Sequence, residues 1–269
     1  MTADDHALAR DLAAVAGERL LALRAQGGAQ DDLRKAGDRQ SHDFLTAELA
    51  ARRPGDVVLS EEGADNPARL AARRVWIVDP LDGTREFGEP GRTDWAVHVA
   101  LWERRVTGGS GDLTAGAVAL PAQGMTVSTA DRQPAHSGSE PVITGSPSHR
   151  AGGAGRVRIV VSRSRPPAFV RTISGLINAE LVPLGSAGAQ VAAVVNGEVD
   201  AYVHGGGFYE WDTAAPVAVA RAAGLHASRI DGSALAYNQA GLLMPDILVC
   251  RPALAGTLLR AIREVTHAP

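Results

Sequence analysis

Val75-Trp76-Ile77-Val78-Asp79-Pro80-Leu81-Asp82-Gly83-Thr84 is an apolar run that ends in two carboxylates and a glycine. The four apolar residues read as a buried strand. Pro80 fixes its own φ and supplies no N–H, so the strand cannot simply continue. Gly83 lets the backbone come close to a ligand. Arg85-Glu86-Phe87 reads as the start of a short helix, where free N–H groups favour an anion. Oxygen ligands for a cation therefore stand beside donors for a phosphate, a pairing that suits metal-assisted phosphoryl chemistry. Asp-x-x-Asp-Gly also occurs in ordinary turns, where both residue types are favoured for local reasons.

Two further acidic segments bear on that choice. Ser60-Glu61-Glu62-Gly63 follows the strand-like Val57-Val58-Leu59 and puts carboxylates at another strand end. Taken alone, a Glu pair is usually a solvated surface feature. Glu210-Trp211-Asp212-Thr213-Ala214-Ala215-Pro216 runs into an apolar helix-like stretch. There Asp212 either caps the helix or stands as a carboxylate in a partly apolar wall.

Outward from these motifs, Leu8, Leu12, Val15, Leu20 and Leu23 recur at near-helical spacing and predict an amphipathic helix over 4–26. Residues 27–40 read as a turn-rich connection and 41–52 as a second helix, with Phe44, Leu45 and Leu49 inward. Strands are predicted at 56–60, 74–79, 95–101, 115–120 and 124–129. This half reads as two helices laid on a mostly antiparallel sheet. Residues 130–155 are rich in Gly, Ser, Pro and His and read as a flexible surface connection between a half of 1–140 and a half of 156–269. Beyond it, strands at 158–162, 181–184, 199–203, 225–230 and 247–250 alternate with helices at 166–177, 187–195, 213–223 and 252–265. Such alternation predicts an α/β half with helices on both sheet faces.

Bulk properties narrow the function. A formal net charge of −3 gives no general drive toward nucleic acid or anionic membranes, so any attraction for phosphate must be local. Met1-Thr2-Ala3-Asp4-Asp5 lacks the basic-then-apolar order of a secretory signal, and no apolar run approaches a membrane span. Cys250 is the single cysteine, which excludes an internal disulfide, and its apolar neighbours predict burial. A cytoplasmic enzyme without nucleic-acid or membrane partners is the expectation.

The three acidic segments, in this order, resemble the signature of the inositol monophosphatase-like, lithium-sensitive, magnesium-dependent phosphatases, over nearly the whole chain. Leu59-Ser60-Glu61-Glu62, the run from Asp79 to Phe87, the run from Val161 to Arg165, Glu210 to Ala215, and Tyr237-Asn238 look like the CysQ-type 3′-phosphoadenosine 5′-phosphate phosphatases. Those enzymes remove the 3′-phosphate to leave AMP and clear a by-product of sulfate assimilation. The resemblance implies an α+β and α/β chain folded as a layered α-β-α-β-α sandwich, with the active site between the halves. It also implies a phosphomonoester hydrolase in which two or three Mg²⁺ ions activate water and Li⁺ inhibits.

The same resemblance implies residue roles. Glu61, Asp79 and the Leu81 carbonyl would hold one Mg²⁺; Asp79, Asp82 and Asp212 would hold a second, with the substrate phosphate completing both. Gly83 and Thr84 N–H groups would bind that phosphate. Thr84 would position the attacking water with an Asp near the start of the second helix; Asp43 is assigned, with Asp38 as competitor. Ser162, Arg163 and Arg165 suit a 5′-phosphate or an adenine pocket, since Arg binds phosphate in bidentate fashion; a solvated basic turn is the alternative. Ser186 is assigned to the ribose or to a helix start. Ala189 and Gln190 stand where related nucleotide phosphatases often carry a Lys. Tyr237 is assigned to adenine, with core packing as the alternative. His98 reads as structural within an apolar strand, and His204, ahead of Gly205-Gly206-Gly207, reads as a loop residue. The expected partner is a small phosphate ester, a nucleotide first. Inositol 1-phosphate or fructose 1,6-bisphosphate is the alternative substrate, and a silent nucleotide-binding relative a third reading. Monomer and homodimer are both open.

Overall fold

The computed structural model describes residues 4–106, 110–132 and 156–266. Strands β1 (Val57–Ser60), β2 (Arg74–Asp82), β3 (Ala96–Arg104), β4 (Gly111–Leu120) and β5 (Met125–Ser128) form one sheet in chain order. β1 pairs with β2 in parallel and the other pairs are antiparallel. A strand sends successive side chains to opposite faces, and β2 is apolar on both. Trp76 and Val78 pack with helices α1 (Asp5–Ala25) and α2 (Gln30–Arg52), whereas Val75 and Ile77 join a different core on the opposite face.

The second sheet contains β6 (Arg158–Ser162), β7 (Glu180–Leu184), β8 (Ala201–His204), β10 (His226–Ser228) and β12 (Ile247–Cys250), in the order β10-β12-β8-β6-β7. Short strands β9 (Phe208–Tyr209) and β11 (Leu243–Met244) pair separately. Alternation sorts this sheet as well. Val160, Tyr202, Ile247 and Val249 join the core that holds Val75 and Ile77. Ile159, Val161, Val203, Leu248 and Cys250 pack with α4 (Ala168–Leu176) and α7 (Pro252–Thr266). Between the sheets lie α5 (Ala187–Val195) and α6 (Glu210–Ala222). Helix α5 carries no charge and is buried from Gly188 to Val195, as a helix packed on both sides must be. The layers run α-β-α-β-α. The two halves share the middle core instead of closing separate ones. The boundary expected at 130–155 falls mostly on 133–155, outside the described residues.

One expected element is materially different. The turn-rich reading of 27–40 gives way to helix from Gln30. Gly37 does not break it: a Cβ there would lie 2.9 Å from Leu81 and from Phe87, so glycine lets α2 press against the acidic motif. Helix α6 begins at Glu210, three residues before its expected start, and this places Asp212 inside its first turn. Among the described residues no helix is long and apolar enough to cross a membrane.

Candidate active site

Pairing between β2 and β3 becomes irregular between Asp79 and Asp82, where Pro80 has no N–H to give. The strand therefore turns at the carboxylates. Gly83 follows with φ +83° in the left-handed region. A Cβ at Gly83 would meet the Ser186 side chain at 2.9 Å, so only glycine fits. Short helix α3 (Thr84–Gly88) starts there. From the other half, the first turn of α6 delivers Asp212. Ligand oxygens of Asp79, Asp82 and Asp212 lie within 4.8 Å of one another.

Each of these carboxylates is fixed by a backbone N–H. Leu81 donates to Asp79 Oδ1 (3.0 Å), Gly188 to Asp82 Oδ2 (2.7 Å) and Tyr209 to Asp212 Oδ2 (2.5 Å). Asp212 thus does both things the sequence left open: it reaches back to the start of its helix and it faces the cluster. Glu61, at the accessible rim beyond β1, hydrogen-bonds Asp79. Burial and then neighbouring negative charge push Asp79 well above the carboxylate range. The same causes push Glu61 up to about 7, with Asp212 as its main charged neighbour, and Asp212 up to about 6, with Asp82 as its. Burial and mutual repulsion make Glu61, Asp79 and Asp212 hold on to protons, and with Asp82 they make a donor set for a hard divalent cation, which needs several anionic oxygens. The residues fit such an ion.

Fully buried His98, on β3, places Nε2 3.1 Å from Asp82 Oδ2 and Nδ1 3.1 Å from the Trp211 carbonyl oxygen. It underpins two of the carboxylate-bearing segments at once. Its position inside an apolar strand was legible; its contact with Asp82 needed the pairing of β2 with β3.

Thr84 Oγ1 donates to the Leu81 carbonyl (3.1 Å) and toward Asp38 Oδ1 (3.4 Å). Asp43, assigned from sequence, is exposed, and its backbone carbonyl is engaged by Thr46. The reason is helical geometry. From Asp38 to Asp43 is five steps of about 100° each, so the two side chains leave α2 in different directions. Ser41, three residues beyond Asp38, shares the inward face and donates to the Pro80 carbonyl (2.7 Å). Burial and Glu62 push Asp38 up to about 6.

A cavity of about 260 Å³ opens beside the carboxylates. Gly83, Thr84, Ser162, Arg165, Ser186, Asp82 and Asp212 line it, so these sequence-assigned residues come together from both halves. Two do not. The Arg163 guanidinium pairs with Glu86 (2.7 Å) and Glu89 (2.9 Å), clasping β6 to α3. Tyr237 is buried, and its hydroxyl donates to Thr213 Oγ1 (3.1 Å) in the core. Neither lines the cavity. Ser186 Oγ accepts from the Ala189 N–H (3.0 Å), so it starts α5 as well as lining the cavity. Gln190, His204 and Phe208 also line it. His204 closes β8 instead of lying in a loop. Sequence reading named Gln190 only as standing where relatives often carry a Lys and His204 only as a loop residue, and it passed over Phe208, because nothing local marks an isolated Gln or Phe as facing a ligand.

The sequence profile of the inositol monophosphatase family matches residues 2–267. A 3′-phosphoadenosine 5′-phosphate phosphatase from Mycobacterium leprae is 51% identical over 267 residues, 97% of this chain and 94% of that protein. The solved structure of CysQ from Bacteroides thetaiotaomicron superposes with a TM-score of 0.70 at 26% identity, covering 92% of this chain and 97% of that one. A 2′AMP-bound inositol monophosphatase-II, SaIMPase-II, superposes at 0.74 with 21% identity over 97% and 95% of the two chains, a likeness of fold alone.

Proposed function

The chain belongs to the inositol monophosphatase family, and from that premise we propose that it is a phosphomonoester hydrolase that removes the 3′-phosphate of 3′-phosphoadenosine 5′-phosphate to leave AMP and phosphate. The observation that carries this reading is the 51% identity to a phosphatase of that name over 97% of the chain, joined to a carboxylate cluster that opens on a cavity.

In this proposal Glu61, Asp79, the Leu81 carbonyl, Asp82 and Asp212 hold Mg²⁺, two ions at least. Magnesium there supplies positive charge and Lewis acidity to the phosphoryl oxygens. The protein's own groups do the rest. Gly83 and Thr84 seat the scissile phosphate at the turn. The Thr84 hydroxyl donates its hydrogen bond to Asp38 or the Leu81 carbonyl, so its oxygen is left to accept one from the attacking water. Asp38, ionised above about 6, keeps that hydroxyl oriented at neutral pH. Water adds to phosphorus in line, the bond to the ribose 3′-oxygen breaks, and that oxygen takes up a proton. Arg165 faces the second phosphate of the substrate, while Ser162 and Ser186 line its path. Inhibition by Li⁺ belongs to the same proposal, as does a cytoplasmic setting, which the buried free thiol of Cys250 suits.

The test is product identity. With Mg²⁺, phosphorus NMR of the reaction is expected to show inorganic phosphate and 5′-AMP. Formation of 3′-AMP, or no release, contradicts the proposal.

A further inference from the structure

Beyond the carboxylates and Arg165, one wall of the cavity is built of rings. His204 and Phe208 meet edge to face with centroids 5.0 Å apart, and Tyr202 lies behind His204 at 6.2 Å. Gly205-Gly206-Gly207 makes this possible. Gly206 and Gly207 have φ of +98° and +81°, and a Cβ on Gly206 would lie 2.1 Å from the Pro245 carbonyl oxygen. The reversal brings the end of β8 against the start of β9.

The chemistry of this wall differs from that of the phosphate end. Burial and then the nearby Arg165 charge push His204 down to about 4, so the ring is neutral at pH 7. The Gly206 N–H approaches Nδ1 at 3.2 Å, which leaves the proton on Nε2. A neutral imidazole paired with a phenyl ring offers phosphate no positive charge. Its flat faces accept any planar base. Gln190 adds a second requirement. Its Nε2 donates to the Leu184 (3.1 Å) and Gly185 (2.8 Å) carbonyls, which fixes the amide, and Oε1 is buried without a donor. A ligand group that reaches this oxygen does so as an O–H or N–H donor. An ionised phosphate has none, and a nucleoside has several.

We propose that the His204–Phe208 pair is the base-stacking subsite of this enzyme and selects nucleotide over other phosphate esters. The inference rests on the nucleotidase reading above. It places the base beside Arg165, so base and second phosphate are recognised on one side and the scissile phosphate at the carboxylates.

The test compares adenosine 3′,5′-bisphosphate with ribose 3,5-bisphosphate, the same substrate without its base. The ratio of their kcat/KM values is read in wild type, His204→Leu, Phe208→Leu and His204→Tyr. A misfolded fraction lowers both values alike, so the ratio is insensitive to it. Wild type is expected to favour the adenosine compound by about tenfold or more, the gain usual for stacking one base. Each leucine variant is expected to bring the ratio toward unity, and His204→Tyr to retain most of it. A wild-type ratio preserved in both leucine variants overturns the base subsite while leaving the nucleotidase reading intact. A wild type that releases phosphate from inositol 1-phosphate and not from the adenosine compound overturns both.

Discussion

His98 Nε2 lies 3.1 Å from Asp82 Oδ2, while its other nitrogen lies 3.1 Å from the Trp211 carbonyl oxygen. Both partners are acceptors, so the ring is best satisfied carrying both protons. Burial opposes that charge, but Asp82, the Trp211 carbonyl and Asp212 together outweigh it and the pKa is raised. His98→Leu leaves Asp82 Oδ2 with the Gly188 N–H alone and removes a buried charge pair. A loss of about 1–3 kcal/mol of stability is expected, with a several-fold rise in the Mg²⁺ concentration for half-activation. Denaturant midpoints and a Mg²⁺ titration of activity measure both; an unchanged Mg²⁺ requirement would remove His98 from the support of the site.

The protein without cation is expected to lose stability as pH rises from about 4 to about 7. Asp38, Glu61, Asp79 and Asp212 are all held above their ordinary values. In that window the folded state binds more protons than the unfolded chain, so rising pH favours unfolding. The raised His98 acts in the same direction, its stabilisation being lost as pH climbs through its folded pKa. Mg²⁺ must displace more of these protons at pH 5 than at pH 8. The increase in Tm on adding Mg²⁺ should therefore be larger at pH 8. Equal increases at the two pH values would mean that the cation binds elsewhere.

Asp82→Asn and Asp212→Asn are each expected to cut turnover by a hundredfold or more, since each removes an anionic ligand from the same cluster. Neither should unfold the chain. Asp212→Asn relieves like-charge repulsion, so its cation-free Tm is expected to stay level or rise, whereas Asp82→Asn also gives up the charge that pairs with His98 and is expected to gain less. Near-wild-type kcat in either variant would break the assignment of the cluster as the metal site.

Asp38→Asn and Asp43→Asn separate the two candidates for the Thr84 partner. The first removes the carboxylate 3.4 Å from Thr84 Oγ1 and is expected to lower kcat by about a hundredfold, the low end for a group that helps move a proton. The second alters an exposed helix position and should leave kcat within twofold. The reverse order would show that α2 turns another face to the motif.

Alternation made the two halves legible, one as helices on an antiparallel sheet and one as α/β, while the five-layer order came from the family resemblance; each sheet buries both faces, and a strand such as Val75 to Val78 has to satisfy both. The carboxylates were legible for a related reason: Asp79, Asp82 and Asp212 each stand where a buried strand or helix begins or ends, and charge there demands a partner. Asp38 stood only as the competitor of Asp43 because the helix that carries it was read as a turn-rich connection. Gly27, Gly28 and Gly37 looked like breakers, yet Gly37 is needed for close packing against Leu81 and Phe87. Arg163 and Tyr237 were taken for ligand contacts because their residue types suit a nucleotide. Glu86, Glu89 and Thr213 claim them first, and competition of that kind is set by tertiary neighbours that local sequence does not name. The ring wall escaped notice because it forms only when three glycines fold β8 back toward β9.

The most direct measurement is kcat/KM with Mg²⁺ for 3′-phosphoadenosine 5′-phosphate, inositol 1-phosphate and fructose 1,6-bisphosphate, side by side. The account predicts a preference for the nucleotide of about a hundredfold, roughly 3 kcal/mol of transition-state discrimination. Comparable values, or a preference for inositol 1-phosphate, would contradict it.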